Sequence, residues 1–174
     1  CLEGAYMTMM QNGSLGTKGL HLPSLTKAQG RWKSYPDQLS IPVKLGQIVG
    51  DYVWNEYHGV FQAKAHNLIR NLRKVYNEKL KEYDILITPT VPLRAKTIPE
   101  GEYSLETVGK KCYGMGANCG PFNATGLPAM TIPVAIVEEL PIGMQIISGF
   151  YKEAVIYQAA YAWEQAFDWK KIHE

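Results

Sequence analysis

Residues 120–133 read GPFNATGLPAMTIP. Two glycines and three prolines in fourteen positions shape this stretch at the level of the backbone. It is expected to open as a loop. Gly120 and Gly126 supply backbone freedom and close approach to a neighbour, and Pro121 and Pro128 fix the turns around them. Asn123 and Thr125 carry side chains able to hydrogen-bond local backbone that such a loop leaves unpaired. From Ala129 the character changes. AMTIPVAIV and IGMQIIS, separated by EELP, predict two strands joined as a hairpin.

Upstream, YDILITPTVP (83–92) holds the unalternated apolar run Ile85–Leu86–Ile87, the pattern of a strand covered on both faces. Pro89 ends it, because proline cannot donate to a ladder. Residues 89–104 lack periodicity and read as a long loop, followed by a short helix within 105–118. Before the strand, SIPVKLGQIVGDYVWNEYH (40–58) predicts a helix with Ser40 as N-cap and Pro42 in its first turn. A second helix is predicted from Val60 to Leu80, with Phe61, Ala65, Leu68, Leu72, Val75 and Leu80 near one face. Its basic face, with Lys64, Arg70, Arg73, Lys74 and Lys81, reads as solvated surface rather than an anion site. Residues 11–40 are rich in Gly, Pro and Ser and read as loop. KEAVIYQAAYAWEQAF (152–167) predicts a last helix with Ile156, Ala160, Trp163 and Phe167 on one stripe. Helices with a few buried strands make the fold class α/β.

The composition narrows the function classes. With 174 residues the chain can bury a real core. A net charge of +2 is too small to point to nucleic acid or an anionic membrane as partner. No apolar run nears the roughly 20 residues of a membrane span, and no basic-then-apolar leader opens the sequence. Three cysteines, Cys1, Cys112 and Cys119, do not pair into a disulfide framework and lack the spacing of a zinc site. The sequons at Asn12 and Asn123 therefore read as chance matches. LEGAYMTMM (2–10) places Leu2, Ala5 or Tyr6, and Met9 on one helical stripe, so the chain is expected to begin inside a longer protein.

Together, YDILITPTVP, NATGLPAMTIPVAI (123–136) and LPIGMQIIS (140–148), followed by EAVIYQAAYAWEQA, resemble the C-terminal part of the amidase signature family. In that family a Pro-Thr-x-Pro strand end is followed by Asn-x-x-Gly-x-Pro-Ala, a hairpin with Leu-Pro-x-Gly-x-Gln, and a helix. The ordered set covers about residues 78–168. EGAYMTMMQNGSLGTKG (3–19), the stretch from Leu39 to Leu80 and GPFNATGLPA look like the aliphatic and aromatic amidases encoded beside nitrile hydratases. The resemblance then reaches nearly the whole chain.

The resemblance implies the C-terminal portion (1–174) of one amidase signature domain. Its mixed β-sheet flanked by helices is incomplete without the N-terminal part. It implies hydrolysis of a carboxamide to carboxylate and ammonia in the cytoplasm, without metal or organic cofactor. It brings Met115, Asn118 and Phe122 to the acyl pocket as substrate-binding residues. The partners implied are a small amide and the N-terminal amidase segment, on this chain or a second one. A homo-oligomer is compatible with this, and neither nucleic acid nor membrane is called for.

The family's catalytic groups are a serine nucleophile, a second serine and a lysine, the serines within a GGSSGG stretch. The bridging serine passes the nucleophile's proton toward the neutral lysine, and backbone N–H groups hold the oxyanion. These 174 residues contain no GGSS, so no catalytic residue is assigned. Ser14 with Lys18 does not replace the missing pair. Cys1 as an N-terminal nucleophile would need to head a buried strand, whereas a helical pattern follows it. His21, His58, His66 and His173 show no triad or metal spacing. The isolated chain is expected to be inactive, and poorly soluble or bound to another polypeptide. Two other readings remain open: an amidotransferase A-type subunit acting in tRNA amidation, and a non-catalytic interaction module derived from an amidase.

Overall fold

Pro36 and Pro42, which punctuate the sequence as if it were loop, lie inside helical turns in the computed structural model. The structure describes residues 20–98, 100, 104–112 and 114–172. Cys1, the stripe at 2–9, the Asn12 sequon, Ser14, Lys18 and His173 lie outside them. The chain divides into two compact units, Cys1–Leu68 and Ile69–Glu174.

In the first unit, α1 (Pro23–Gln29) and two 3₁₀ turns, Gly30–Ser34 and Pro36–Gln38, occupy a stretch expected to be loop. Pro23 and Pro36 sit at helix starts, where a fixed φ favours the first turn and the missing N–H costs nothing. Gly30 adopts a right-handed φ of −62° and continues the coil instead of breaking it. Helix α2 (Ile41–Tyr57) begins as predicted, with Ser40 in extended conformation at the N-cap, although its hydroxyl makes no capping bond. It ends on His58 at φ 51°, whose N–H reaches the Trp54 carbonyl at 2.8 Å. Gly59 follows at φ 81°, with a hypothetical Cβ only 3.3 Å from the Trp54 ring. Helix α3 (Val60–Glu82) starts at the predicted residue.

The second unit is built on a three-stranded sheet in the order β1-β3-β2, with both pairings antiparallel. The strands are β1 (Ile85–Pro89), β2 (Ala129–Val137) and β3 (Leu140–Ser148). Glu138 and Glu139 form the hairpin turn at φ 49° and 64°, both left-handed, as a two-residue turn between right-twisted strands requires. The turn is tighter than EELP implied, since Leu140 and Pro141 already pair with β2. A register shift between Pro133 and Ala135 accommodates Pro133, which cannot donate to the ladder.

Each face of the sheet has its own core. Leu80 of α3, Phe122, Leu127 and Ile147 form one, with Tyr76 and Leu86 against it. Ile132 and Ile146 form the other with Ile156 and Ala160 of the last helix, α6 (Glu153–Ala166). The predicted stripe on α6 holds at Ile156, Ala160 and Trp163, while Phe167 is exposed and tilts against Trp163 at 4.4 Å. β1 departs from its expected two-sided cover. Ile85 and Leu86 pack on opposite cores, but β1 is the outer strand and Ile87 is 55% exposed. The stripe on α3 is also displaced. The row that turns inward there is Ile69, Leu72, Tyr76 and Leu80, while Phe61, Leu68 and Val75 stay exposed. Spacings of three and four follow the 3.6-residue turn, whereas a seven-residue step drifts off the face.

Residues 105–112 form α4 (Leu105–Cys112), capped by Ser104, whose Oγ accepts the Thr107 N–H at 3.1 Å. The segment expected to open as a loop is instead a short helix, α5 (Gly120–Thr125). Pro121 lies in its first turn and Gly126, at φ 75°, ends it by returning its N–H to the Phe122 carbonyl at 2.8 Å. Proline just inside a helix start and glycine just past its end are the signals of a helix, which their reading as loop residues concealed.

Candidate functional site

The motifs at the ends of β1, β3 and α5 meet on one side of the second unit. Pro89 closes β1, and its carbonyl accepts a hydrogen bond from Asn118 Nδ2 at 2.8 Å. The Thr90 amide donates to the Gly143 carbonyl at 2.9 Å, which ties the chain leaving β1 to β3. The Cys119 thiol donates to the Thr90 carbonyl at 3.3 Å. Gln145, 4% exposed, donates Nε2 to Thr88 Oγ1 at 3.4 Å and to the Asn118 carbonyl at 3.3 Å. Gly143 is required here: a Cβ would lie 2.9 Å from Thr90 Oγ1 and 3.1 Å from Thr131 Cγ2. The Thr90 hydroxyl in turn donates to Thr131 Oγ1 at 3.2 Å.

Beside this network lies a cleft of about 330 Å³, lined by residues 91–95, Met115 and residues 141–143. Volumes of roughly 300–1,000 Å³ suit small-molecule ligands. Its walls are mainly aliphatic and thioether groups. Arg94, the one ionisable side chain of the lining, is paired with Glu138 at 2.5 Å. The hydrogen bond from Arg94 to Glu138, and then their opposite charges, raise the guanidinium further above its ordinary value.

Of the three residues expected at the acyl pocket, Met115 lines this cleft with 43% of its surface exposed. Asn118 is half-buried in the adjacent network. Phe122, 5% exposed, is packed in the core with its ring centroid 5.2 Å from that of Tyr76. Thr125 is fully buried and donates Oγ1 to the Pro121 carbonyl at 2.8 Å, as local backbone bonding implied, whereas Asn123 is exposed. Residues 91–95, Gly143 and Gln145 escaped assignment. The signal for them was the pair of motifs TPTVP and LPIGMQ, whose glycine and prolines mark a close crossing of two segments.

The arrangement can enclose and orient a small group, but none of its lining side chains is a hydroxyl or thiol nucleophile. Ser148 is buried and donates to the Asp84 carbonyl at 2.8 Å, and Ser104 caps α4. Among the described residues no group of three or more His, Cys, Asp or Glu side chains could hold a metal ion, and no helix is long and apolar enough to cross a membrane.

Comparison with known proteins gives a consistent result. The Amidase family matches residues 18–156. A protein of Rhodococcus erythropolis, described as an uncharacterized protein in the nthA 5′ region, is 32% identical over 164 residues, 93% of this chain and 82% of its own length. An enantioselective amidase of Rhodococcus rhodochrous is 32% identical over 94% of this chain, which corresponds to 32% of the enzyme. The crystal structure of the A-type subunit of glutamyl-tRNA(Gln) amidotransferase from Thermotoga maritima superposes with a TM-score of 0.55 at 23% identity. It covers 84% of this chain and 31% of that one, and it speaks to the fold alone. The chain thus spans most of one relative and about a third of the other two. Motif order, topology and these matches agree, and the chain belongs to the amidase signature family.

Proposed function

We propose that these residues form the C-terminal part of a serine-dependent amidase that hydrolyses a carboxamide to carboxylate and ammonia through an acyl-serine. The chain supplies scaffold and one wall of the acyl pocket. Met115 contributes to that wall directly, Asn118 holds the loop behind it, and Phe122 anchors α5 in the core. The serines and lysine of the catalytic triad come from polypeptide outside these 174 residues, in the same or a second chain. The enzyme acts in the cytoplasm on small amides.

The observation that carries this reading is the match to an enantioselective amidase along 94% of the chain. The cleft beside the Pro-Thr-x-Pro and Leu-Pro-x-Gly-x-Gln segments supports it. Ammonia release from aliphatic and aromatic carboxamides by the full-length enzyme tests it. The isolated 174 residues are expected to release none above a mock preparation. Release by the isolated chain would contradict the assignment of the triad elsewhere, and a full-length enzyme inert toward every amide would contradict the reaction.

A second reading, an amidotransferase A-type subunit, draws on the likeness to the Thermotoga fold. Glutaminase activity that appears only with partner subunits would select it.

A further inference from the structure

The two walls of the cleft differ in construction. One is the start of β3, residues 141–143, which pair with β2. The other is the irregular segment 91–95, which belongs to no ladder. Its near end is fixed by the bond from the Thr90 amide to the Gly143 carbonyl. Its far end reaches the hairpin turn through a side chain: Arg94 Nη1 stands 2.5 Å from Glu138 Oε2. Glu138 presents its carboxylate from a backbone held at φ 49° by the two-residue turn. The pair therefore spans from the loose wall to the rigid one, and it neutralises the one charge in an otherwise apolar lining.

We propose that the Arg94–Glu138 pair is a specificity latch that sets both the width and the charge of this cleft, so that the enzyme selects small, uncharged, apolar acyl groups. The proposal rests on the amidase reading and adds to it a specificity-determining pair. Both side chains are largely in solvent. An exposed pair contributes modestly and weakens with salt. That is enough to shift how often the loose wall is closed, and selectivity between two substrates follows that population.

The test uses the full-length enzyme with Arg94→Gln, Glu138→Gln and the reciprocal Arg94→Glu/Glu138→Arg. Three amides are compared: propionamide, a naphthyl carboxamide and succinamate. Both single variants should raise kcat/KM for the naphthyl amide relative to propionamide by about two- to five-fold, and the reciprocal variant should restore the wild-type ratio. Glu138→Gln alone should favour succinamate by a similar factor, because it leaves a cation beside the substrate. In 1 M salt the wild type should approach the single variants.

Hydrogen exchange across 91–98 provides a readout independent of activity. It should quicken in the single variants and slow again in the reciprocal one. Unchanged ratios, or failure of the reciprocal variant to restore them, would overturn the selectivity role. Unchanged exchange would overturn the latch itself. A wild type that hydrolyses no amide, with exchange behaving as described, would sink the amidase reading and leave the latch standing.

Discussion

Arg73 donates its Nε–H to the carbonyl of Thr125 at 3.0 Å, a contact across 52 residues of chain. Thr125 is the last residue of α5, so the guanidinium satisfies a carbonyl that the helix end leaves without a partner. The same group sits 5.4 Å from the centroid of the Phe150 ring, beyond β3. One side chain of α3 thus holds together the segment that opens the family motif and the turn that leads into α6.

Arg73→Ala should accordingly lower stability by about 1–3 kcal/mol, the range for a lost hydrogen bond to a charged donor. Arg73→Lys should recover only part of the loss, because an ammonium cannot both donate to Thr125 and lie flat on the ring. The urea midpoint of the three proteins measures this. Equal midpoints for wild type and Arg73→Ala would show the contact to be incidental.

Gly143 faces a different constraint. An added Cβ would fall 2.9 Å from Thr90 Oγ1 and 3.3 Å from Thr90 Cβ. Gly143→Ala should therefore push the chain after β1 away from β3 and cost about 1–3 kcal/mol, as overpacking does. Thr90→Ala removes the nearer atom, so the double variant should be less destabilised than the sum of the two single ones. Thermal midpoints decide it. Strict additivity would mean that the clash is relieved elsewhere.

These two contacts mark the boundary of what sequence reading reached. Strands, hairpin and outer helices were legible because period-2 and period-3.6 apolar patterns report burial directly: Ile156, Ala160, Ile146 and Ile147 follow the pattern and are buried. The short helices at 23–29 and 120–125 were not, because Pro and Gly end one element and start another with the same letters, and only the φ of Gly126 tells which. The exposure of Ile87 was hidden for another reason. An apolar run reports that a face is fit to be covered, not that a neighbour lies on it. In the site, Met115 was reached through family resemblance. Arg94 with Glu138, and Gln145 with Asn118, depend on contacts 44 and 27 residues apart, which no local pattern encodes.

Ile146 and Ile147 are neighbours on β3 and fully buried, yet they belong to different cores. Alternation of side chains across a strand sends one to α6 and the other to α3 and α5. Each replacement by alanine should cost about 2–5 kcal/mol. The two losses should add, because the buried side chains around them are not shared. Denaturant midpoints of the two single variants and, if it folds, the double one check this. A large coupling energy would mean that the faces communicate through the sheet.

The C-terminal turn carries a pH-dependent contact. Asp168 accepts the Lys170 N–H at 3.3 Å and pairs with the Lys171 ammonium at 3.1 Å, capping the 3₁₀ turn Trp169–Lys171. The turn places the Ile172 carbonyl where the Ile136 amide of β2 donates to it at 2.9 Å, which covers part of an outer strand edge. The Lys171 hydrogen bond, followed by charge and the Lys170 amide, holds the Asp168 carboxyl below its ordinary value. A depressed carboxyl favours the folded turn when ionised. Its contribution is therefore complete above the unfolded value of about 4 and fades as pH falls through the lower, folded one. Hydrogen exchange at Ile136 should be slower in the wild type than in Asp168→Asn near neutral pH, and the two should converge in acid below that point. A difference between them that persists unchanged into acid would show that the carboxylate's charge is not what holds the turn.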